Sequence, residues 1–179
     1  AWASRHVAAY GGDPAQMHLM GHSAGAYNAM MLGLNPRYLQ QAGSNTPIRS
    51  VLGLAGPYDF LPLTDPALQE IFGAESQWPA TQPIAYASAA APAVLLQIGG
   101  DDETVKPGNS LRLAEKLQLA GAPVQLRTYA GLSHAGIIGA LALPFRLSSP
   151  VLDDIEQFLR GQEKQAHGAS QTLAHGEPG

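Results

Sequence analysis

Cysteine is absent from this chain of 179 residues, which excludes disulfides, thiolate metal sites and a cysteine nucleophile together. Charge is sparse as well. Only 13% of residues are charged, the formal net charge is −4, and the ten Lys and Arg form no cluster. Such a distribution argues against a nucleic-acid footprint or a polybasic membrane contact. Long hydrophobic runs are missing too: the most apolar late stretch, Ile137 to Phe145, is broken by Gly139 and Pro144. It falls well short of the ~20 residues needed to cross a bilayer, so no membrane span is expected. The lack of cysteine leaves the compartment open. The chain starts at Ala1 with neither Met nor a basic-then-apolar leader, and the expectation is that the beginning of the protein lies upstream.

What is present describes one globular domain, since 45% of residues are hydrophobic. The stretch around which the rest is organised is Met20-Gly21-His22-Ser23-Ala24-Gly25-Ala26. A short apolar run, Met17 to Met20, reads as a buried strand, and the Ala/Met/Leu-rich segment Ala24 to Leu34 reads as a helix. A serine therefore occupies the apex of a strand-turn-helix, with Gly21 and Gly25 expected because a side chain at either position would collide as strand and helix converge. The serine would be held in a strained backbone conformation costing roughly 1–3 kcal/mol.

Elsewhere, Trp2 to Tyr10 reads as a short helix ended by Gly11-Gly12, and Tyr38 to Ala42 as a further helical turn. Strands are expected at Ile48 to Ala55, Val94 to Ile98 and Val124 to Tyr129, and helices at Pro66 to Phe72 and Asn109 to Ala120. A last helix is announced by Ser149 as N-cap, Pro150 in the first position, and a stripe of Val151, Leu152, Ile155, Phe158 and Leu159. Residues 1–161 are taken as the domain, and 162–179, polar and unpatterned, as a disordered tail. Strands alternating with helices imply a mostly parallel sheet of about four strands flanked by helices.

A serine hydroxyl is a weak nucleophile at neutral pH, and needs an imidazole to take its proton and a carboxylate to orient the imidazole. Acid candidates after the Val94 strand are Asp101, Asp102 and Glu103. The backbone N–H of Ala24, opening the elbow helix, is a candidate donor to an oxyanion. His6 and His18 read as structural or exposed, His22 as packing beneath the serine, and His167 and His175 fall in the expected tail. No metal ligand set and no cofactor are assigned.

Gly-His-Ser-Ala-Gly resembles the nucleophile elbow of α/β-hydrolases, particularly bacterial carboxylesterase-like members. Gly11-Gly12-Asp13-Pro14, Gly56-Pro57-Tyr58-Asp59 and the segments around Asp102 and His134 are similar too. The resemblance covers about residues 1 to 160 and implies a partial α/β-hydrolase fold. The family pattern Gly-x-x-Asp-x-x-Val falls on Gly99, Asp102 and Val105, and its histidine follows the last strand, at His134. The implied set is Ser23, Asp102 and His134 in the order serine, acid, histidine.

Two further implications concern parts of the fold. Insertions after the Ile48 strand form a cap in this family, which Phe60, Phe72 and Trp78 would line, unless they only pack that loop onto the body. The family's second oxyanion donor comes from a glycine-rich loop on an earlier strand, which this sequence lacks, so the isolated chain is expected to be inert. The elbow strand, mid-sheet in the family, would here have an open edge needing the N-terminal half or an oligomer to cover it. The implied activity is cleavage of small-molecule carboxylic esters through an acyl-enzyme. The alternatives are an inactive fragment or interaction module, and a related peptidase or amide hydrolase.

Overall fold

The computed structural model describes residues 1–174, with side chains described through Lys164. In chain order the elements are α1 (Trp2–His6), β1 (Met17–His22), α2 (Ala24–Leu34), α3 (Arg37–Gln41), β2 (Ile48–Leu54), α4 (Pro66–Phe72), β3 (Ala93–Gly99), α5 (Gly108–Leu119), β4 (Val124–Tyr129), α6 (His134–Gly139) and α7 (Val151–Ala174). Short 3₁₀ turns occupy Val7–Tyr10, Glu75–Thr81, Pro83–Tyr86 and Phe145–Leu147. The expected single helix from Trp2 to Tyr10 is thus divided into an α and a 3₁₀ piece.

The four strands form one parallel sheet in sequence order, β1-β2-β3-β4. Register places Gly21 beside Gly53, Leu52 beside Leu95 and Leu96 beside Leu126. β3 is buried at every position, as expected for a strand covered on both faces. Alternation along the strands then sorts the core. Val51, Val94 and Leu96 meet Ala26, Met30 and Leu34 of α2 and Leu113 and Leu117 of α5. Leu52, Leu54 and Leu95 meet Ile137 of α6 and Val151, Ile155 and Phe158 of α7 on the opposite face.

Two expectations about α7 are corrected. Asp154 N–H donates to the carbonyl of Pro150 at 2.9 Å, which puts Pro150 rather than Ser149 in the capping position, and the buried Ser149 Oγ has no hydrogen-bond partner. The helix also runs through Gly161 to Ala174 instead of giving way to a tail at Gln162. Ala, Gln, Glu and Lys after Gly161 are good helix formers, no proline follows Pro150 before Pro178, and the cost of the two glycines Gly161 and Gly168, ~1 kcal/mol each, is offset along the run. His175 and the remainder of the expected tail lie outside the described residues. No helix among the described residues is long and apolar enough to cross a membrane.

Candidate active site

Every parallel strand delivers its following loop to the same edge of the sheet, so the segments after β1, β2, β3 and β4 converge there. Ser23 follows β1, with φ 54° and ψ −124°; besides glycines, only Ala55 shares a positive φ among the described residues. Its N–H donates to Leu54 O at 2.9 Å, which ties the turn to β2. Ser23 is also the N-cap residue of α2, but its hydroxyl makes no capping bond. A serine in that position ordinarily accepts from the second or third helical N–H. Here the hydroxyl is turned away and lies 2.9 Å from His134 Nε2.

The glycines flanking the serine are not equivalent. A Cβ on Gly21 would stand 2.2 Å from the carbonyl oxygen of Gly25, so strand and helix can approach only because Gly21 has none. A Cβ on Gly25 would meet nothing within 4 Å, which corrects the expectation that both positions are sterically closed. Contact is one-sided: the backbone of residue 25 fills the space above residue 21. Ala24 is the first residue of α2, where the helix presents unsatisfied N–H groups and the positive end of its dipole.

Asp102 is 4% exposed, whereas Asp101 and Glu103 are open to solvent. Its Oδ1 accepts from the N–H groups of Thr104 and Val105, both at 2.9 Å, and its Oδ2 lies 2.8 Å from His134 Nδ1. A carboxylate only accepts, so the proton between them sits on Nδ1, which leaves Nε2 of a neutral ring to accept from Ser23. The loops bearing acid and imidazole are joined by backbone bonds, Gly100 N–H to Tyr129 O at 2.7 Å and Asp101 N–H to Leu132 O at 3.0 Å. Gly99 permits that approach, because a Cβ there would lie 2.2 Å from Leu132 O. Ser133 caps α6 by accepting from Gly136 N–H, fixing the helix that His134 opens.

The three residues expected from the sequence are therefore assembled at one rim, while His6 and His18 have other partners. His6 is exposed against Trp2. His18 pairs through Nδ1 with the fully buried Ser50 Oγ at 2.7 Å, and burial holds its pKa below the ordinary value, with Arg49 adding to and Glu163 opposing the shift. His18 and His22 stand four residues apart, a ligand spacing on a helix, but on β1 that distance is ~13 Å. Among the described residues no group of three or more His, Asp or Glu could hold a metal ion.

His22 departs from its expected place beneath the serine. Its Nε2 lies 2.9 Å from the carbonyl oxygen of His134, and the two imidazole rings are 4.7 Å apart, tilted by 44°. Two buried amides also escaped the sequence reading. Asn109 Oδ1 accepts from Tyr58 and Asp59 N–H, both at 2.9 Å, and Gln82 Oε1 from Phe60 N–H at 2.9 Å. Arg112 closes on the Asp59 carboxylate from outside. Thus pinned, the loop after β2 sets Phe60 against Tyr27 and Phe72, with ring centroids 5.7–5.9 Å apart. Tyr27 belongs to the first turns of α2, so this half-buried aromatic group begins one turn beyond Ser23. Trp78 instead packs within the loop, 8% exposed, its Nε1–H donating to Gly73 O at 2.9 Å.

A parallel sheet covered by helices on both faces, with a strained serine turn at its carboxyl edge, defines an α/β-hydrolase fold. The chain belongs to the prolyl oligopeptidase family, whose profile matches residues 1–142. It is 30% identical over 190 residues to a probable isoprenylcysteine alpha-carbonyl methylesterase of Arabidopsis thaliana, covering 92% of this chain and 39% of that protein. A probable isoprenylcysteine alpha-carbonyl methylesterase of Oryza sativa subsp. japonica is 31% identical over 152 residues, covering 73% of this chain and 37% of the relative. The chain thus spans about two-fifths of the length of these relatives. Among solved structures, a truncated form of a carbohydrate esterase from gut microbiota superposes with a TM-score of 0.75 at 17% identity, covering 91% of this chain and 65% of the other. The apo form of Thermogutta terrifontis esterase 2 gives 0.72 at 21% identity, covering 89% and 60%. At these identities the structural likeness concerns the fold.

Proposed function

We propose that the protein is a serine hydrolase that cleaves carboxylic esters through an acyl-enzyme, with Ser23 as nucleophile, His134 as base and Asp102 as the acid that orients it. One observation carries this reading: a buried carboxylate, an imidazole and a hydroxyl that caps nothing stand in hydrogen-bonded series at 2.8 and 2.9 Å. His134 Nε2 takes the hydroxyl proton as Ser23 Oγ attacks the ester carbon, and Asp102 steadies the imidazolium. The Ala24 N–H donates to the oxygen that becomes negative. Collapse expels the alcohol with the proton returned by His134. Water then attacks the acyl-enzyme by the same route and releases the acid.

The methylesterases among the relatives support an ester substrate, and methyl esters belong in the first series tested. The family is named for an oligopeptidase, which gives amide cleavage a place as the second reading, separated by profiling p-nitrophenyl acylates against peptide p-nitroanilides.

In the full-length protein, p-nitrophenyl acetate turnover and fluorophosphonate labelling at Ser23 are the expected outcomes. Ser23→Ala should remove both, and Asp102→Asn should lower kcat by ~10⁴-fold, because an amide in place of the carboxylate favours the wrong tautomer. A protein that turns over no ester or amide, and whose Ser23 ignores the probe, does not have this function.

A further inference from the structure

The three loops of the site are not held together equally. The Asp102 and His134 segments share two backbone hydrogen bonds, and the Ser23 turn shares one with β2. Between the Ser23 turn and the His134 segment no backbone bond runs among the described residues. Besides the Ser23–His134 bond itself, one hydrogen bond crosses that gap, from His22 Nε2 to the carbonyl oxygen of His134. A carbonyl can only accept, so Nε2 of His22 carries the hydrogen.

We propose that His22 is a positioning residue for the base, an inference that rests on the hydrolase reading above. His22 is the last residue of β1 and adjoins the nucleophile, so its backbone moves with Ser23. By donating to the backbone of His134 it sets the distance between nucleophile and base. Its ring also lies beside the imidazole, with centroids 4.7 Å apart, but the positioning is assigned to the hydrogen bond. The Ser23–His134 distance then depends on a rigid strand end rather than on a single side-chain contact between two separate loops. A misplacement of about 1 Å in such an arrangement costs on the order of 10²-fold in rate.

Two substitutions separate the parts. His22→Phe keeps a ring and removes the donor. His22→Gln keeps an N–H donor the same number of bonds from Cβ and removes the ring. Measured on the full-length protein with p-nitrophenyl acetate and corrected for active-site titre, His22→Phe should lower kcat about 10- to 100-fold with KM within about twofold. Fluorophosphonate labelling of Ser23 should slow by a similar factor, and His22→Gln should recover kcat to within about threefold of the parent.

Wild-type kcat in His22→Phe, a fall that disappears on titre correction, or an equal loss in His22→Gln would each overturn the inference. The unsubstituted protein is assayed first. If its Ser23 takes no label, the hydrolase reading fails before His22 is tested; a labelled, active parent with an indifferent His22→Phe overturns the positioning role alone.

Discussion

At Ser23 the chain accepts a backbone conformation that a side-chain-bearing residue rarely adopts, and the cost is met by close packing on one side of the turn. The asymmetry of the two flanking glycines makes this testable. Gly21→Ala should destabilise by ~1–3 kcal/mol, since backbone opposes the new methyl and cannot swing aside. Gly25→Ala, with open space around it inside α2, should change stability by less than about 1 kcal/mol, and in the favourable direction. Urea midpoints of the two variants decide the matter, and equal losses would contradict the one-sided contact. A second residue-scale prediction concerns His18. Its folded pKa is depressed, chiefly by burial, so the unfolded chain binds the proton more readily. Its contribution to stability is present above the unfolded value near 6.5 and is lost as pH falls through the lower folded value. The thermal midpoint of the parent should therefore fall more steeply between pH 7.5 and 5.5 than that of His18→Gln; parallel curves would remove His18 from the account.

Among elements, β3 carries the most instructive side chain. Gln97 is fully buried in an otherwise apolar strand, and its Nε2 donates to Tyr129 Oη at 2.6 Å and to Val151 O at 3.0 Å. Tyr129 in turn donates to Asp154 Oδ2 at 2.7 Å. One amide thus links β3 to the end of β4 and the start of α7. That Tyr129 hydroxyl is held well above the usual tyrosine range, by burial first and then by its bond to Asp154, so it stays a donor. Gln97→Met fills a similar volume but supplies no hydrogen. It should lower unfolding free energy by ~1–3 kcal/mol, read by urea denaturation, because Val151 O and Tyr129 Oη lose a buried partner. No loss would mean that packing alone seats α7. The same element scale explains why a terminal run without an apolar stripe is still helical: residues 162–174 lengthen a helix already nucleated by the packing of Val151, Ile155 and Phe158.

For the molecule as a whole, the sheet ends in two unlike edges. β4 alternates half-buried Val124 and Leu126 with exposed Gln125, Arg127 and Thr128, a charged and polar edge of the kind that discourages pairing. β1 offers Met17, His18, Leu19 and Met20, with Met20 54% exposed, and among the described residues pairs only with β2. An apolar edge of this kind seeks a further strand or a covering surface. The 179-residue chain should accordingly self-associate in light scattering at micromolar concentration, and Met20→Lys should raise its monomer fraction. A chain already monomeric would show that this edge is protected by its own loops.

The local elements were readable without coordinates because their causes lie within a few residues. Apolar runs bounded by Gly and Pro marked β2 and β3, and α2, α4 and α5 follow from helix-forming stretches closed by their own stop signals. The order serine, acid, histidine at strand ends was legible for the same reason, each motif being short. Tertiary structure alone decided that Gly21 and not Gly25 is sterically closed, that His22 reaches the backbone of a residue 112 positions away, and that Asn109 and Gln82 hold the loop after β2. Those contacts join segments whose separation along the chain carries no periodic signal, and they exist only once the sheet has fixed which loops meet at its carboxyl edge.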